Sequence, residues 1–298
     1  LEMPVEFRPL HGSFGAEVIG VDPALEVDDP AFAAIEAAWY RHSILLFRGL
    51  SMTPERQIAF TRRFGPLHVM VPLDYNLSGH PEIFVVSNAE QDGKPLGLRG
   101  AGMGFHSDGE DKPVPNAGSF LYARQVPPEG GDTLFADMYA VYAALPTETR
   151  RKIAGRRARF SRNALHHLNY PHQPLTEAHR RRPDVYHPLE QRHPKSGRVS
   201  LFIGRWAYDI EGLPEQEGSE LVAWLQEFAQ QPRFVYRHRW REGDAVLWDN
   251  RCTQHCATGF DESRYVRLMH RTTLEGDTPV MAEPAAPNGQ ASSRQASH

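Results

Sequence analysis

Short apolar runs, each ended by glycine, proline or another turn residue, recur along most of this chain and restrict the folds it can adopt. They occupy residues 15–22, 44–49, 82–88, 233–240, 244–250 and 265–274, and two more lie within 118–138. Short runs separated by turn signals are typical of the strands of β-sandwiches and barrels. The pattern therefore predicts an α+β, mainly β fold with a sandwich or barrel core and helices outside it.

Four segments have the apolar spacing of helices and interrupt the strand-like runs. They cover residues 30–43, 53–65, 138–155 and 219–231. Asp29 precedes Pro30, which predicts an N-cap followed by proline in the first turn, and Thr53 stands in the same relation to Pro54. Residues 161–200 are rich in His, Pro and Arg and show little periodicity. There we expect a long irregular segment that serves as a lid or a binding loop.

Size and composition predict one domain and argue against several classes of function. The 298 residues are 40% hydrophobic, which is enough for one sizeable core. We expect a single domain over residues 4–281 and a disordered tail over residues 282–298, where Ala, Pro, Ser, Gln and Gly form no apolar pattern. The net charge of -4 argues against a nucleic-acid partner, and no apolar run has the length of a membrane-spanning helix.

The two cysteines indicate the cellular compartment. Cys252 and Cys256 lie too close together to staple a large fold, so we expect a reducing, cytoplasmic setting. Their spacing would also suit one half of a zinc clip, although no second ligand pair with matching spacing is present. The sequence leaves the oligomeric state open, with a homo-oligomer among the alternatives.

The stretch GFHSDGE, residues 104–110, supplies two residues of a candidate metal site. On an extended segment His106 and Asp108 point to the same side, about 7 Å apart along the chain, so a nitrogen and a carboxylate oxygen can converge on one ion. The triplet alone is more often a polar surface turn, so a third ligand is needed. His255, after the apolar run over 244–250, is the best candidate. Two histidines and one carboxylate suit non-haem Fe(II) and O2 chemistry.

Two arginines follow the third candidate ligand. Arg267 and Arg271 are four residues apart in the predicted strand over 265–274, which places both on one face of that strand. If the face is inward, their guanidinium groups offer a fork for a carboxylate or a sulfonate beside the metal. If it is outward, they are solvated strand charges.

In combination these motifs resemble the Fe(II)/2-oxoglutarate-dependent dioxygenase family that includes taurine dioxygenase and 2,4-dichlorophenoxyacetate dioxygenase. The resemblance covers nearly the whole chain, and its specific pieces are FHSDG, VPPEGGDTLFADM, HPKSGRVSLFIG, WDNRCTQH and RLMHRTTL. It implies a double-stranded β-helix, or jelly roll, flanked by helices. It also implies Fe(II) as the metal, with 2-oxoglutarate and O2 as cosubstrates.

The resemblance assigns roles to individual residues. It makes His106, Asp108 and His255 the iron ligands, and it places Thr133 and Arg267 on the far carboxylate of 2-oxoglutarate. The reaction it implies is hydroxylation of a small anionic substrate, with 2-oxoglutarate converted to succinate and CO2.

Four positions bear on the substrate. The resemblance places Arg271 near its anionic group, or between the carboxylates of substrate and 2-oxoglutarate, and it places Met70 where taurine dioxygenase has a substrate-binding histidine. Trp206 is expected to line the pocket, with a plain core tryptophan as the alternative. Phe105 stands where the family usually has tryptophan. Because Met70 is apolar and several stretches resemble the phenoxyacetate branch, we expect an aryloxy- or alkoxy-carboxylate rather than taurine.

Two other classes of function remain open from the sequence. A metal-dependent hydrolase would use the same three ligands without requiring Thr133 and Arg267. A non-catalytic jelly-roll protein would keep the ligands as a metal-binding site. Turnover of 2-oxoglutarate distinguishes both classes from a dioxygenase.

Overall fold

The computed structural model describes residues 5–12, 14–171 and 174–282, and within them the chain is mainly β with several helices. Most of the predicted tail lies outside these residues. Ala282 is described: it is 4% exposed and donates its N–H to the carbonyl of Glu190. Among the described helices, none combines the length and the apolar character that crossing a lipid bilayer requires.

Strands make up most of the regular structure. In chain order along the described residues they are β1 (Glu6–His11), β2 (Phe14–Ile19), β3 (Ile44–Phe47), β4 (Leu67–His68), β5 (Asn76–Leu77), β6 (His80–Ser87), β7 (Glu90–Gln91), β8 (Lys94–Pro95), β9 (Gly118–Gln125), β10 (Thr133–Asp137), β11 (Arg157–Phe160), β12 (Val185–Pro188), β13 (Glu190–Arg192), β14 (Val199–Leu201), β15 (Ala207–Ile210), β16 (Val235–His238), β17 (Ala245–Asp249), β18 (Thr253–Ala257) and β19 (Leu268–Leu274). Every run predicted as a strand overlaps one.

Helices overlap all four predicted segments, with bounds that differ by a few residues, and two further helices, over residues 162–169 and 177–180, were not predicted. They are α1 (Asp29–His42), α2 (Pro54–Arg62), α3 (Met138–Ala144), α4 (Thr147–Ile153), α5 (Arg162–Asn169), α6 (Glu177–Arg180) and α7 (Glu215–Ala229). The N-cap of α1 is Asp28 rather than Asp29, since the Asp28 carboxylate accepts the N–H of Ala31 at 2.7 Å. Thr53 caps α2 as expected. Pro146 separates α3 from α4.

The expectation of an irregular segment over residues 161–200 is wrong. This part of the chain carries α5, α6, β12, β13 and β14. These elements are three to eight residues long. A periodic pattern needs a longer window to be recognised, so the sequence does not reveal them.

One nine-stranded sheet forms the largest layer, with the order β1-β2-β3-β17-β9-β19-β6-β5 and with β4 beside β19. Strand β3 is buried at all four positions because both of its faces are covered. Leu45 and Phe47 pack against α1 and α2, whereas Ile44 and Leu46 face the opposite way and share an apolar cluster with Phe135 of β10. Burying each large apolar side chain of this kind stabilises the folded state by roughly 1.5–3 kcal/mol relative to leaving it exposed.

A three-stranded sheet with the order β16-β10-β18 lies on that second face. Trp248 and Met269 of the large sheet and Phe135 and Tyr236 of the small sheet belong to the same apolar cluster. Strands β17 and β19 of the large sheet therefore face the small sheet. The candidate site residues lie between the two sheets.

Candidate active site

His106, Asp108 and His255 converge as the sequence predicted. Their ligand atoms all lie within 4.8 Å of one another, and all three residues are buried. The Oδ1 atom of Asp108 is 3.9 Å from Nε2 of His106 and 3.8 Å from Nε2 of His255. One carboxylate oxygen and two imidazole nitrogens thus surround a single point, as a three-ligand metal site requires.

Backbone hydrogen bonds bring the two histidines together. The N–H of His106 donates to the carbonyl of His255 at 3.1 Å, and the N–H of His255 donates to the carbonyl of His106 at 2.9 Å. This antiparallel bridge joins the HSD stretch to strand β18 and leaves the two ring centroids 4.2 Å apart. The His255 ring also lies against Trp248, with centroids 4.7 Å apart.

Hydrogen bonds from neighbouring residues orient the ligand atoms. His106 donates from Nδ1 to the carbonyl of Gly104 at 2.8 Å, which leaves its Nε2 without a proton and facing Asp108. Ser119 donates its hydroxyl to Oδ2 of Asp108 at 2.7 Å. The side-chain oxygen of Asn250 accepts the backbone N–H of Asp108 at 3.2 Å. Oδ1 of Asp108 is consequently turned toward the histidines.

The protonation states suit metal binding. Burial, followed by the charges of His255 and Arg205, holds the pKa of His106 well below its usual range, and burial lowers the pKa of His255 to about 4. Burial alone would raise the pKa of Asp108, but Arg271 and the two histidines outweigh it and lower that pKa. At neutral pH both imidazoles are neutral and the carboxylate is ionised, which are the forms that bind a metal ion.

Arg267 is a buried cation at a cavity that is also lined by Ala257, two residues after His255. It is 7% exposed, and its guanidinium donates from Nε to the carbonyl of Gly131 at 3.1 Å. Burial lowers its pKa to about 10. Among the described residues no carboxylate oxygen lies within 4.0 Å of it, although Asp132 attracts it from farther away. The cation lines a cavity together with Asn88, Met103 and Phe260.

Thr133 begins strand β10 and pairs with Ala257, which lines that cavity. It is 3% exposed, and its hydroxyl oxygen accepts the indole N–H of Trp240 at 2.9 Å. Because one lone pair is used as an acceptor, the hydroxyl proton remains for an anion.

Arg271 also points inward, but not for the reason given by its spacing from Arg267. Arg267 lies before β19, and the register of that strand shifts between Leu268 and Met269. The assumption of one continuous strand face is therefore wrong. Arg271 donates from Nη1 to Oδ1 of Asp108 at 3.2 Å, and its guanidinium lies over the ring of Phe84, 5.1 Å from the centroid.

Trp206 and Met70, the other two residues predicted to bind substrate, lie in different parts of the fold. Trp206 is 2% exposed in an apolar cluster that Phe105 also packs against, and the guanidinium of Arg162 lies 4.5 Å from its ring centroid. Met70 is half-buried in the segment that follows β4, two residues after His68. Contact of either side chain with a substrate stays a prediction.

Sequence reasoning missed Glu110, which ties the metal-ligand stretch to the segment before β15. Its Oε2 accepts the N–H of Ser107 at 2.8 Å and its Oε1 accepts the N–H of Trp206 at 2.9 Å. It is 1% exposed, and burial raises its pKa to about 7. A side chain at Gly204 would occupy the same space, since a Cβ there would lie 1.8 Å from Oε2. Only the folded chain brings the glutamate and the glycine together.

A second group with metal-ligand atoms consists of His193, Asp249 and Cys252. His193 accepts the N–H groups of Lys195 and Ser196 at Nδ1, so its Nε2 carries the proton that it donates to Asp249 at 2.9 Å. Arg251 also pairs with Asp249, at 2.6 Å. The donors and acceptors of this group satisfy one another, which makes it a buried ion-pair network. No group of metal-ligand side chains in the described part of the chain contains both cysteines, which argues against a zinc clip.

The comparison with known proteins agrees with the site. The family model for "Taurine catabolism dioxygenase TauD, TfdA family" matches residues 6–273. The chain belongs to this family. Two of the relatives that the chain resembles are named as alpha-ketoglutarate dioxygenases, and alpha-ketoglutarate is another name for 2-oxoglutarate.

Two relatives and two solved structures show how closely the chain follows this family. It is 37% identical to the (S)-phenoxypropionate/alpha-ketoglutarate-dioxygenase of Sphingobium herbicidovorans, over 91% of this chain and 95% of that protein. It is 38% identical to the alpha-ketoglutarate-dependent 2,4-dichlorophenoxyacetate dioxygenase of Cupriavidus pinatubonensis, over 92% and 99% of the two chains. The crystal structure of AAD-2 in complex with Mn(II) and N-oxalylglycine superposes with a TM-score of 0.81 at 32% identity, over 94% of this chain and 100% of that one. A taurine dioxygenase from Burkholderia xenovorans gives 0.77 at 29% identity, over 93% of each chain.

Proposed function

We propose that this protein is an Fe(II)/2-oxoglutarate-dependent dioxygenase that hydroxylates a small anionic substrate, with 2-oxoglutarate and O2 consumed and succinate and CO2 formed. One observation carries the proposal. A buried group of two neutral histidines and one carboxylate occurs together with a buried arginine that has no carboxylate partner among the described residues and that shares a cavity with Ala257, two residues after His255. A metal-dependent hydrolase or a non-catalytic metal-binding protein would have no need of that arginine.

His106, Asp108 and His255 would hold the iron. Two nitrogens and one oxygen on one side of an ion leave its other positions open for exogenous ligands, the arrangement that suits Fe(II) in oxygenases. When bound, the iron supplies the activation of O2. The chain's part is to keep Nε2 of His106 unprotonated and to aim Oδ1 of Asp108, through the hydrogen bonds of Gly104, Ser119 and Asn250.

Arg267 and Thr133 would hold the far carboxylate of 2-oxoglutarate. A carboxylate between the guanidinium and the hydroxyl would give Arg267 the counter-charge that it lacks and would accept the free proton of Thr133. The AAD-2 structure, with its N-oxalylglycine, supports a pocket for a small dicarboxylate in this fold.

For the substrate we favour an aryloxy- or alkoxy-carboxylate over taurine. Arg271 supplies an inward cation for the carboxylate, and Met70 and Trp206 supply apolar surface for a larger body. The similarity to relatives named for phenoxypropionate and 2,4-dichlorophenoxyacetate supports this choice. The protein's contribution is to hold the target C–H bond at the metal and to exclude water around it.

We also infer that the nine-stranded and three-stranded sheets form the two sides of a double-stranded β-helix. Support comes from the apolar cluster that the sheets share and from the position of His255 and Arg271 between them. Both cysteines are free thiols, which supports a reducing, cytoplasmic location.

The test is a panel of anionic substrates, scored by substrate-dependent succinate formation with Fe(II) and 2-oxoglutarate. Losing one hydrogen bond to a charged group costs about 1.5–3 kcal/mol, so a phenoxyacetate-like acid should exceed taurine at least tenfold in kcat/KM. Taurine as the better substrate would overturn the interpretation of Met70. A protein that binds metal but forms no succinate with any anion would contradict the dioxygenase itself.

A further inference from the structure

We propose that Lys112 binds the anionic end of the substrate together with Arg271, and that His68 is a positioning residue that holds the Lys112 ammonium group in place. The inference rests on the proposed function, because it concerns the substrate of the same site. It identifies a second cation, outside the ligand motif, as a group that selects an anionic substrate over a neutral one.

Lys112 is held by two neutral acceptors. Its Nζ is 3.0 Å from Nε2 of His68 and 3.2 Å from Oδ1 of Asn116. An ammonium group can only donate, so Nε2 of His68 must be unprotonated. Burial and then the Lys112 charge lower the pKa of His68, in agreement with this. Two of the three ammonium protons are used, and among the described residues no carboxylate oxygen lies within 4.0 Å of Nζ. The third proton is free for a ligand.

A glycine in the turn after Asp108 clears the path of the lysine. Gly109 has φ +74°, and a Cβ there would lie 3.3 Å from Cδ of Lys112 and 2.5 Å from Oδ1 of Asn116. The same turn is closed by a hydrogen bond from the N–H of Lys112 to the carbonyl of Gly109 at 2.9 Å. The turn therefore directs the lysine stem back over the ligand stretch rather than out to solvent.

Arg271 and Lys112 approach the same place from two elements. His68 of β4 pairs with Thr273 of β19, and Arg271 lies two residues before Thr273 on the same face of the strand. Burial lowers the pKa of Lys112, the charges of Asp111 and Asp108 oppose this, and the charges of Arg182 and Arg271 add to it. The charge of Arg271 also lowers the pKa of His68. The two cations are thus close enough to repel each other.

The Asp108 carboxylate cannot neutralise a metal ion, Arg271 and Lys112 at the same time. Arg271 donates to Oδ1 of Asp108, the same oxygen that faces the two histidines, and its Nε is buried without a partner among the described residues. If Asp108 binds a metal ion, no other carboxylate oxygen of the described residues lies within 4.0 Å of the side-chain nitrogens of Arg271 or Lys112, although the charge of Asp111 still acts on Lys112 from farther away. A ligand carboxylate with two oxygens can accept a proton from each cation, and a sulfonate can do the same.

The experiment is a calorimetric titration of phenoxyacetate, phenylmethanesulfonate and the neutral phenoxyacetamide. The protein is loaded with Mn(II) and N-oxalylglycine, which allows binding without turnover, and the titrations are repeated with Mn(II) alone. We expect Lys112→Met to weaken binding of the anion that the site prefers at least tenfold and to change phenoxyacetamide binding less than twofold. Lys112→Arg should keep most of the affinity, and Lys94→Met, at an exposed lysine, should have no effect.

A double variant tests the role of His68. If His68 acts by positioning Lys112, His68→Ala should weaken anion binding, and adding it to Lys112→Met should cause no further loss. Equal affinity of wild type and Lys112→Met for every anion, or no anion binding by the wild type, would overturn the proposal. Failure of the proposed function is seen separately, as absence of N-oxalylglycine binding to the Mn(II)-loaded protein.

Discussion

Replacing Gly204 by alanine should disturb the metal site from a distance, because the new methyl group would displace Glu110. A Cβ at residue 204 would lie 1.8 Å from Oε2 and 2.3 Å from Cδ of that carboxyl group, well inside van der Waals contact. The carboxyl group would have to leave its position. Its two hydrogen bonds to the buried N–H groups of Ser107 and Trp206 would then be lost.

The size of the effect follows from those two donors. Leaving a buried donor without a partner costs about 1–3 kcal/mol, so the free energy of unfolding should fall by roughly 2–6 kcal/mol. Ser107 lies between two of the proposed ligands, so the affinity for Mn(II) should fall too, by roughly tenfold or more. Urea unfolding of the metal-free protein gives the first quantity, and calorimetric Mn(II) titration gives the second.

Two comparisons make this prediction refutable. Gly259→Ala is the matched control, since a Cβ there meets nothing within 4 Å, and it should change stability by less than about 1 kcal/mol. In a Glu110→Ala background the clash is gone, so adding Gly204→Ala should cost little more. Wild-type stability of Gly204→Ala, or full additivity of the two substitutions, would show that Glu110 does not hold the two segments together.

Three further predictions concern cosubstrate, metal and pH. Arg267→Ala should weaken 2-oxoglutarate binding ten- to a hundredfold, since a charge-assisted bond contributes about 1.5–3 kcal/mol; an unchanged affinity in a titration of the folded variant would contradict this role. His255→Ala should abolish the visible absorption band expected with Fe(II) and 2-oxoglutarate without oxygen, and a persisting band at wild-type iron affinity would refute the ligand assignment. Burial lowers the pKa of His187 and of His270 from 6.5 to about 4, so the unfolded chain takes up protons first. The free energy of unfolding should therefore fall as the pH drops from 6.5 toward 4, and equal stability in urea at pH 7.5 and pH 5 would be inconsistent with that.

The sequence predicted those strands and helix ends that are determined by residues close together in the chain. Alternation and turn residues indicated the core strands, and Thr53 with Pro54 predicted the start of α2. The short elements within residues 161–200 were missed because their stability comes from packing against neighbours rather than from their own periodicity. The exchange of Asp29 for Asp28 as the cap of α1 is a one-residue shift that spacing cannot resolve.

The candidate site also combines residues that the sequence revealed with residues that only the folded chain reveals. The HSD stretch and a later histidine were recognisable because ligand chemistry demands particular residue types. Glu110, Gly204 and Lys112 were not, because each acquires its role from a partner that only the folded chain brings near it. The spacing of Arg267 and Arg271 left the inward and outward directions open, and it assumed a regular strand, whereas the strand register shifts between the two residues.

The reciprocal backbone bonds between His106 and His255 have a consequence for how such a protein can diversify. Because carbonyl and amide groups make this bridge, the spacing of the two histidines does not depend on the side chains around them. Met70, Lys112 and Trp206, by contrast, come from turns and connecting segments that tolerate substitution. Over evolutionary time, a lineage built on this frame can exchange the compounds it degrades while inheriting its oxidative chemistry unchanged.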